Sequence, residues 1–223
     1  MKGKITGFLI AVVLIAAIVA MPVLAAGITP FTDIEMWAKE YIETAYKYGF
    51  VNGVTETSFE PDAPMTRAMA ITVLYRHAVK IFGVSPPVLE ERELPFTDVN
   101  PEAYYYDAVV WAYGNELTNG TSETTFSPDE PLKRQDWVKL LYSETLYYLA
   151  LDDSGIAVDF PHPDIPETFI DRGEVSYYAI NAVRWAIGQQ IMSGKSEFIL
   201  DPQGAITRAE AIKMKFCNYG PQD

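Results

Sequence analysis

Three arginines stand at one recurring position in the sequence, and their side chains are suited to binding a carboxylate. Arg67, Arg134 and Arg208 each follow a glycine by 14 residues. A guanidinium presents a rigid fork of N–H donors that matches the two oxygens of a carboxylate. Thr66 and Thr207 are good helix N-cap residues, so the next residue lies beside backbone N–H groups that a helix start leaves free. We therefore predict an anion site at each arginine, near the surface of a groove.

The same arginines have a structural alternative, which the sequence leaves open. A Phe-x-Asp segment begins each region that contains an arginine, and it supplies Asp33, Asp98 or Asp171. Such a carboxylate could pair with the arginine of its own region, or orient that arginine toward a ligand. Thr207 and Glu210 also form a capping-box pattern, which adds Glu210 to the candidate site at Arg208.

Aromatic side chains are candidates for stacking on a sugar ring. Trp111 and Trp185 stand nine residues before a glycine, at a position where the first region has Thr44. A flat apolar face with a polar edge suits a pyranose, but aromatic residues at helical spacing are more often core residues. We keep both tryptophans as candidate ligand contacts, and we expect Tyr104 or Tyr177 to be the more exposed aromatic residues.

These residues belong to a unit that occurs three times in the chain. Each copy runs from Phe-x-Asp to a glycine (Gly53, Gly120 or Gly194), with a proline 8 residues and the arginine 14 residues beyond this glycine. The glycine suits a helix stop or a turn with positive φ. Three residue types at fixed offsets in three places indicate a true internal repeat.

Each copy shows helical periodicity on both sides of its glycine. In the second copy Tyr105, Ala108, Val109 and Ala112 lie at i, i+3, i+4 and i+7. A polar loop with turn-forming residues follows the glycine. We predict two helices per copy, at 35–49 and 66–82, at 102–116 and 133–149, and at 174–190 and 207–218. Any β-structure should be limited to short pairings between loops.

The predicted fold is all-α, because a lone helix pair cannot bury its apolar face and three pairs can share one core. We divide the chain into repeats at 27–83, 96–150 and 169–223, with linkers at 84–95 and 151–168. Residues 1–26 have the pattern of a cleaved export signal, and an uncleaved membrane anchor is the alternative. After cleavage we expect no association with a membrane.

Composition excludes several classes of function. The formal net charge is −13, which argues against binding to nucleic acid or to an anionic membrane surface. The chain has one cysteine and two histidines, His77 and His162, and they form no metal-ligand spacing. No carboxylate pair stands out from the 30 acidic residues as the pair of a glycosidase. We therefore expect no catalytic residue, no metal and no cofactor.

The motifs of the three copies resemble the S-layer homology repeat of bacterial surface proteins. The third copy has Thr-Arg-Ala-Glu at 207–210, where the first has Thr-Arg-Ala-Met at 66–69 and the second has Lys-Arg-Gln-Asp at 133–136. The resemblance covers residues 31 to about 219. It implies three repeats around a pseudo-threefold axis. It also implies, at grooves between repeats on the cell surface, binding to secondary cell-wall polysaccharide that commonly carries pyruvate ketals.

In most members of that family the repeats tether an attached enzyme or lattice domain. Here seven residues follow Phe216, so we expect an exported, stand-alone anchoring module in the cell wall. The alternative is a module that binds another surface protein and has degenerate sugar sites. A cell-wall hydrolase is a third and weaker hypothesis.

Overall fold

The computed structural model describes residues 29–84, 94–151 and 160–217. The predicted export signal at 1–26 lies outside the described residues. Residues 85–93 and 152–159 are not described, so most of the first predicted linker and part of the second lie outside the described residues as well.

Each repeat contains two α-helices, and the prediction of an all-α fold is confirmed. The described residues contain six α-helices: α1 (Met36–Lys47), α2 (Arg67–Phe82), α3 (Tyr106–Gly114), α4 (Arg134–Leu151), α5 (Ile180–Gly188) and α6 (Arg208–Phe216). Two short 3₁₀ helices, Arg172–Glu174 and Tyr177–Ala179, precede α5. In the described part of the chain, β-structure consists of three isolated bridges between loops of different repeats.

Local sequence explains where these helices begin and end. Thr66 accepts a hydrogen bond from the backbone N–H of Met69 at 3.3 Å, and Thr207 forms a complete capping box with Glu210. The first helix of each repeat is followed by a residue with positive φ, which is Gly49 (75°), Glu116 (60°) or Gln190 (60°). A glycine therefore adopts this helix-ending conformation in the first repeat, and residues other than glycine adopt it in the second and third repeats.

Backbone hydrogen bonds join the three repeats in a closed cycle at the centre of the molecule. The N–H of Met65 donates to the carbonyl of Ile206 at 2.9 Å, and the N–H of Ile206 donates to the carbonyl of Leu132 at 2.9 Å. The N–H of Leu132 closes the cycle by donating to Met65 at 2.8 Å. All three side chains are buried. This ring places the repeats around a pseudo-threefold axis, as predicted.

Helix starts connect each repeat to the loop of another repeat. The N–H groups of Arg67 and Ala68 donate to the carbonyls of Glu130 and Pro128 at 3.1 and 2.9 Å. The same contacts recur around the axis, from Arg134 and Gln135 to Gly204 and Pro202, and from Arg208 and Ala209 to Ala63 and Pro61. The helices also pack between repeats, as the pairs α2 with α3, α4 with α5 and α6 with α1. The three repeats thus form one body.

The second helices bring one ionisable side chain from each repeat together inside the protein. Glu144 accepts a hydrogen bond from the Lys215 ammonium, and its Oε1 lies 3.2 Å from Nδ1 of His77. Burial opposes the ionisation of Glu144, but Lys215 and His77 keep its pKa below the ordinary value. Burial and the Lys215 cation also lower the pKa of His77, although Glu144 opposes that shift. His77 is therefore a neutral donor to an ionised Glu144.

The depressed pKa of His77 predicts a loss of stability in mild acid. As the pH falls through about 6.5, the unfolded chain takes up a proton that folded His77 resists, so unfolding is favoured. The melting temperature should fall from about pH 7.5 to about pH 5.5, and the fall should be smaller in His77→Gln, which keeps a donor for Glu144. His162→Gln, at a partly exposed histidine, is the control and should keep the wild-type slope. An unchanged slope in His77→Gln would contradict the assignment.

The positive φ of Gln190 predicts a stabilising substitution. A non-glycine residue in this conformation is strained, so Gln190→Gly should raise the free energy of unfolding by up to about 1 kcal/mol. Gln189→Gly is the matched control, because Gln189 has a φ of −90° and gains nothing from glycine. Chemical denaturation should show the first variant more stable and the second less stable than the wild type. The opposite order would show that strain at Gln190 is negligible.

Candidate functional site

The aspartate of each Phe-x-Asp segment holds the loop of its own repeat. Asp98 accepts hydrogen bonds from the backbone N–H groups of Phe126 at 2.8 Å and Ser127 at 2.7 Å. Equivalent bonds run from Phe59 and Glu60 to Asp33, and from Leu200 and Asp201 to Asp171. Partial burial opposes the ionisation of Asp98, but these N–H donors outweigh it and hold its pKa below the ordinary value. The aspartates are therefore ionised loop anchors.

Each arginine reaches from its own repeat to a loop that an aspartate of another repeat holds. Nε of Arg67 donates to the carbonyl of Phe126 at 2.8 Å, and its guanidinium lies 4.9 Å from the centre of that ring. Nε of Arg208 donates to Phe59 at 2.9 Å, and Nε of Arg134 donates to Leu200 at 3.3 Å. We call the three spaces beside these side chains the Arg67 groove, the Arg134 groove and the Arg208 groove.

These contacts correct two predictions about the arginines. In the described residues no arginine forms an ion pair with the aspartate of its own repeat, so that alternative is wrong. Arg134 and Arg208 are also only 2% and 7% exposed, so they lie deeper than predicted, while Arg67 is partly exposed. The backbone N–H groups of Arg208 and Ala209 donate to a neighbouring loop, so this helix start does not offer them to an anion. The guanidinium of Arg208 lines the groove instead.

The repeat glycines are required by close packing and do not end the first helices. Helices α1, α3 and α5 end well before Gly53, Gly120 and Gly194. A Cβ atom on these glycines would lie 2.4 to 2.5 Å from a ring carbon of the phenylalanine of Phe-x-Asp in the same repeat. Gly120 also has a φ of +77°. The residues just before Gly53 and Gly194 use their carbonyls to accept hydrogen bonds from Arg208 and Arg134.

In the Arg134 groove and the Arg208 groove the arginine donates to equivalent backbone carbonyls, but a different side chain lies next to its Nη1 atom. Nη1 of Arg134 lies 3.4 Å from Oε2 of Glu210, and Lys195 donates to the other oxygen of this carboxylate. Nη1 of Arg208 instead meets the sulfur of Met69 at 3.3 Å. Glu210 therefore belongs to the Arg134 groove, although the sequence grouped it with Arg208.

The Arg67 groove differs from both. Its equivalent acidic residue is Asp136, which accepts a hydrogen bond from the hydroxyl of Tyr178 at 2.6 Å. Among neighbouring charges, Asp136 is the one that most favours the charged form of Arg67, against the effect of burial. The residue at the position of Met69 is thus acidic in the other two grooves, as Asp136 near Arg67 and as Glu210 beside Arg134.

The Arg208 groove is an open space of about 310 Å³. Apolar side chains that include Phe59, Val73 and Ile212 line it, and Arg76 and Tyr104 stand beside Arg208. Burial disfavours the charge of Arg208 and lowers its pKa, with the nearby Glu60 opposing the shift. The guanidinium nevertheless stays protonated at neutral pH. This groove thus combines apolar walls with cationic groups.

The structure separates the aromatic candidates into two sets. Trp111 and Trp185 are only 2% and 3% exposed and lie in the hydrophobic core, so they do not reach a groove. Tyr177 and Tyr104 are 93% and 63% exposed, as expected, and Tyr104 lines the Arg208 groove. Sequence reasoning missed Arg76 as a groove residue. A comparison of the three copies could have indicated Arg76, because only the first copy has a cation at this position.

The described residues contain neither a metal-binding cluster nor a membrane-spanning helix. Residues 29–84, 94–151 and 160–217 contain no group of histidine, cysteine, aspartate or glutamate side chains arranged to hold a metal ion. Within the same ranges, every helix is too short or too polar to cross a membrane.

Comparison with known proteins agrees with this architecture. Residues 30–70, 95–136 and 168–212 match the sequence profile of the S-layer homology domain. The Surface-layer 125 kDa protein of Lysinibacillus sphaericus is 26% identical over 200 residues, which cover 88% of this chain and 15% of that protein. The Cell surface protein of Thermoanaerobacter kivui is 31% identical over 129 residues, which cover 58% of this chain and 16% of that protein.

An enzyme matches over the same kind of segment. The Amylopullulanase of Thermoanaerobacterium thermosulfurigenes is 26% identical over 182 residues, which cover 81% of this chain and 9% of that enzyme. The chain thus spans at most 16% of the length of these relatives. Since the profile matches at three tandem positions over more than half of the sequence, this chain belongs to the S-layer homology family, and the prediction of a cell-wall and cell-surface protein is confirmed.

Proposed function

We propose that this chain binds an anionic, pyruvylated cell-wall polysaccharide, with the Arg208 groove as its principal site. S-layer homology domains bind cell-wall polymers in S-layer proteins. The observation that supports the finer proposal is the state of Arg208. Its guanidinium is almost fully buried, and within the described ranges it forms no ion pair with a carboxylate.

A buried cation is costly unless an anion or enough acceptors compensate it. Two edges of the Arg208 guanidinium are satisfied, because Nε and Nη2 donate to the carbonyls of Phe59 and Asn52. The remaining nitrogen meets the thioether of Met69, which is a weak acceptor. A carboxylate of the ligand would take the place that Glu210 fills beside Arg134. The ketal carboxylate of a pyruvylated sugar has this chemistry.

The rest of the Arg208 groove suits a sugar ring. Its volume of about 310 Å³ lies at the lower end of the range for small-molecule sites. The exposed ring of Tyr104 offers a flat face for stacking, and the apolar side chains of Phe59 and Val73 line the wall. The overall charge of −13 would repel an anionic polymer, so a local cluster of cations must provide the recognition.

In this proposal the chain is a non-catalytic module that anchors itself, or an attached protein, to the wall. The S-layer homology domain alone is a non-catalytic anchoring module. The match to the amylopullulanase extends over only 9% of that enzyme, so it carries no argument for catalysis here.

One feature favours a second candidate function, binding to another surface protein. Ile170 and Phe198 are 77% and 51% exposed, and they are neighbours because the N–H of Ile170 donates to the carbonyl of Phe198 at 3.0 Å. The corresponding pairs in the other repeats are threonines, Thr32 with Thr57 and Thr97 with Thr124. The third repeat therefore presents an apolar surface that the other two lack.

Sedimentation with purified cell walls separates the two functions. Walls are tested before and after chemical removal of the polysaccharide. In the polysaccharide hypothesis the chain sediments only with untreated walls. Equal sedimentation with stripped walls would favour a protein partner, and Ile170→Thr together with Phe198→Thr should then abolish it.

The Met69 position gives the sharpest prediction for the polysaccharide site. Met69→Glu places a carboxylate beside Nη1 of Arg208, where it competes with the ligand and repels its charge. We expect wall affinity to fall by about tenfold or more. The fold should persist, because Glu at this position completes a capping box with Thr66.

Met69→Gln is the matched control, since it has the same length without the charge. It should change the wall affinity by less than about threefold. Thermal unfolding of both variants verifies that the fold is intact. Wild-type affinity in Met69→Glu would show that the ligand does not bind at Arg208.

A further inference from the structure

The Arg208 groove contains a second guanidinium, which belongs to Arg76. Met69, Thr72, Val73 and Arg76 lie on one stripe of helix α2 and line the same groove as Arg208. Residues at i, i+3, i+4 and i+7 face one side of a helix, so Arg76 lies about two turns from Met69 along the wall. The groove therefore has one cation at the start of its helical wall and another farther along that wall.

Arg76 lines the groove without a side-chain partner among the described residues. Within the described residues its side chain forms no ion pair and no hydrogen bond with another side chain. It is partly buried, and burial lowers its pKa, with Tyr104 opposing the shift. The residues that line the groove include no aspartate and no glutamate. Two cations thus line one open groove, and the acids that act on Arg208, Glu60 and Asp33, lie outside its lining.

Tyr104 shows that the two cations act on the same region. Burial raises the pKa of the Tyr104 phenol, and both Arg208 and Arg76 act in the opposite direction. A single hydroxyl therefore feels both guanidinium charges. The groove volume of about 310 Å³ is also too small for two independent sugar chains. Groups that reach both arginines must belong to one short segment of ligand.

Among the three copies, only the first has a cation at the position of Arg76. Nine residues after the repeat arginine, the first copy has Arg76 where the others have Ser143 and Cys217. The first copy is also the one with Met69 at the position of Asp136 and Glu210. Both departures from the repeat pattern make one groove more positive than the other two.

We propose that the Arg208 groove selects a glycan segment that carries two anionic groups, with Arg208 binding one and Arg76 the other. This inference rests on the polysaccharide function proposed above. The two charges must lie on the same sugar residue or on adjacent ones. Two ketal carboxylates satisfy this requirement, and so does one ketal carboxylate next to a phosphate group.

Isothermal titration calorimetry on the full chain tests the proposal with three synthetic probes. The first is a disaccharide with one pyruvate ketal, the second has a ketal on both sugars, and the third has one ketal and one phosphate. The wild type should bind the better two-charge probe about tenfold more tightly than the one-charge probe. The comparison of the second and third probes identifies the second anionic group.

Arg76→Gln should lose about tenfold more affinity for the preferred two-charge probe than for the one-charge probe, so that the preference disappears. Lys213→Gln, which removes an exposed cation of helix α6, is the charge-matched control and should keep the preference. If Arg76→Gln lost the same factor of affinity for all three probes, the proposal would be overturned. Arg76 would then act only through long-range charge and not through contact with a second anionic group. The proposal would also be overturned if the wild type bound the one-charge probe as tightly as the two-charge probes.

A failure of the parent function gives a different result. If the wild type binds none of the three probes and Met69→Glu leaves wall binding unchanged, the Arg208 groove is not the polysaccharide site and both proposals fail. If the wild type binds all probes equally and Arg208→Gln abolishes that binding, only the two-charge proposal fails.

Discussion

Around the centre of the molecule, Met65, Leu132 and Ile206 exchange backbone hydrogen bonds in a closed cycle, each donating to one neighbour and accepting from the other. A closed cycle restricts independent sliding and tilting of the repeats, because a shift at one bond must be matched at the other two. The next residues along the chain begin the second helices, so the ring also fixes where those helices start. Each start then meets the loop of a different repeat.

That constraint determines what an arginine at the helix start can do. Two backbone N–H groups of each helix start are occupied by carbonyls of a neighbouring loop, and Nε of the arginine binds a third carbonyl of the same loop. The loop in turn is held by the aspartate of its own repeat. In the proposed binding mode an anion can reach only the outer guanidinium nitrogens, and the side chain that meets them determines whether a groove is open or internally paired. A methionine at Arg208 and a glutamate at Arg134 separate two grooves of otherwise equal design.

The buried cluster of His77, Glu144 and Lys215 depends on the threefold arrangement of the repeats, but its three residues are not equivalent. Each repeat contributes one residue from its second helix, and the three residues differ in type. Removal of one partner would leave an uncompensated buried charge or donor, which is strongly destabilising. Three similar repeats could in principle associate with the wrong partners. The polar groups of this cluster are all paired only when one copy of each repeat is present. The cluster therefore favours the arrangement in which the three different repeats of one chain pack together.

The sequence by itself determined the internal repeat, the all-α class and the helix pairs, because helical periodicity, N-cap threonines and turn residues are local signals. It also identified the aspartates and arginines as special positions. Only the tertiary structure decided how these positions combine. Arg208 contacts Phe59, 149 residues away, and Met69 faces Arg208 although it lies two residues from Arg67. The repeat glycines likewise accommodate a phenylalanine ring and do not end a helix. Helical periodicity assigns a residue to one face of its helix. Which repeat packs against that face depends on contacts between segments distant in sequence, and local residue spacing does not encode these contacts.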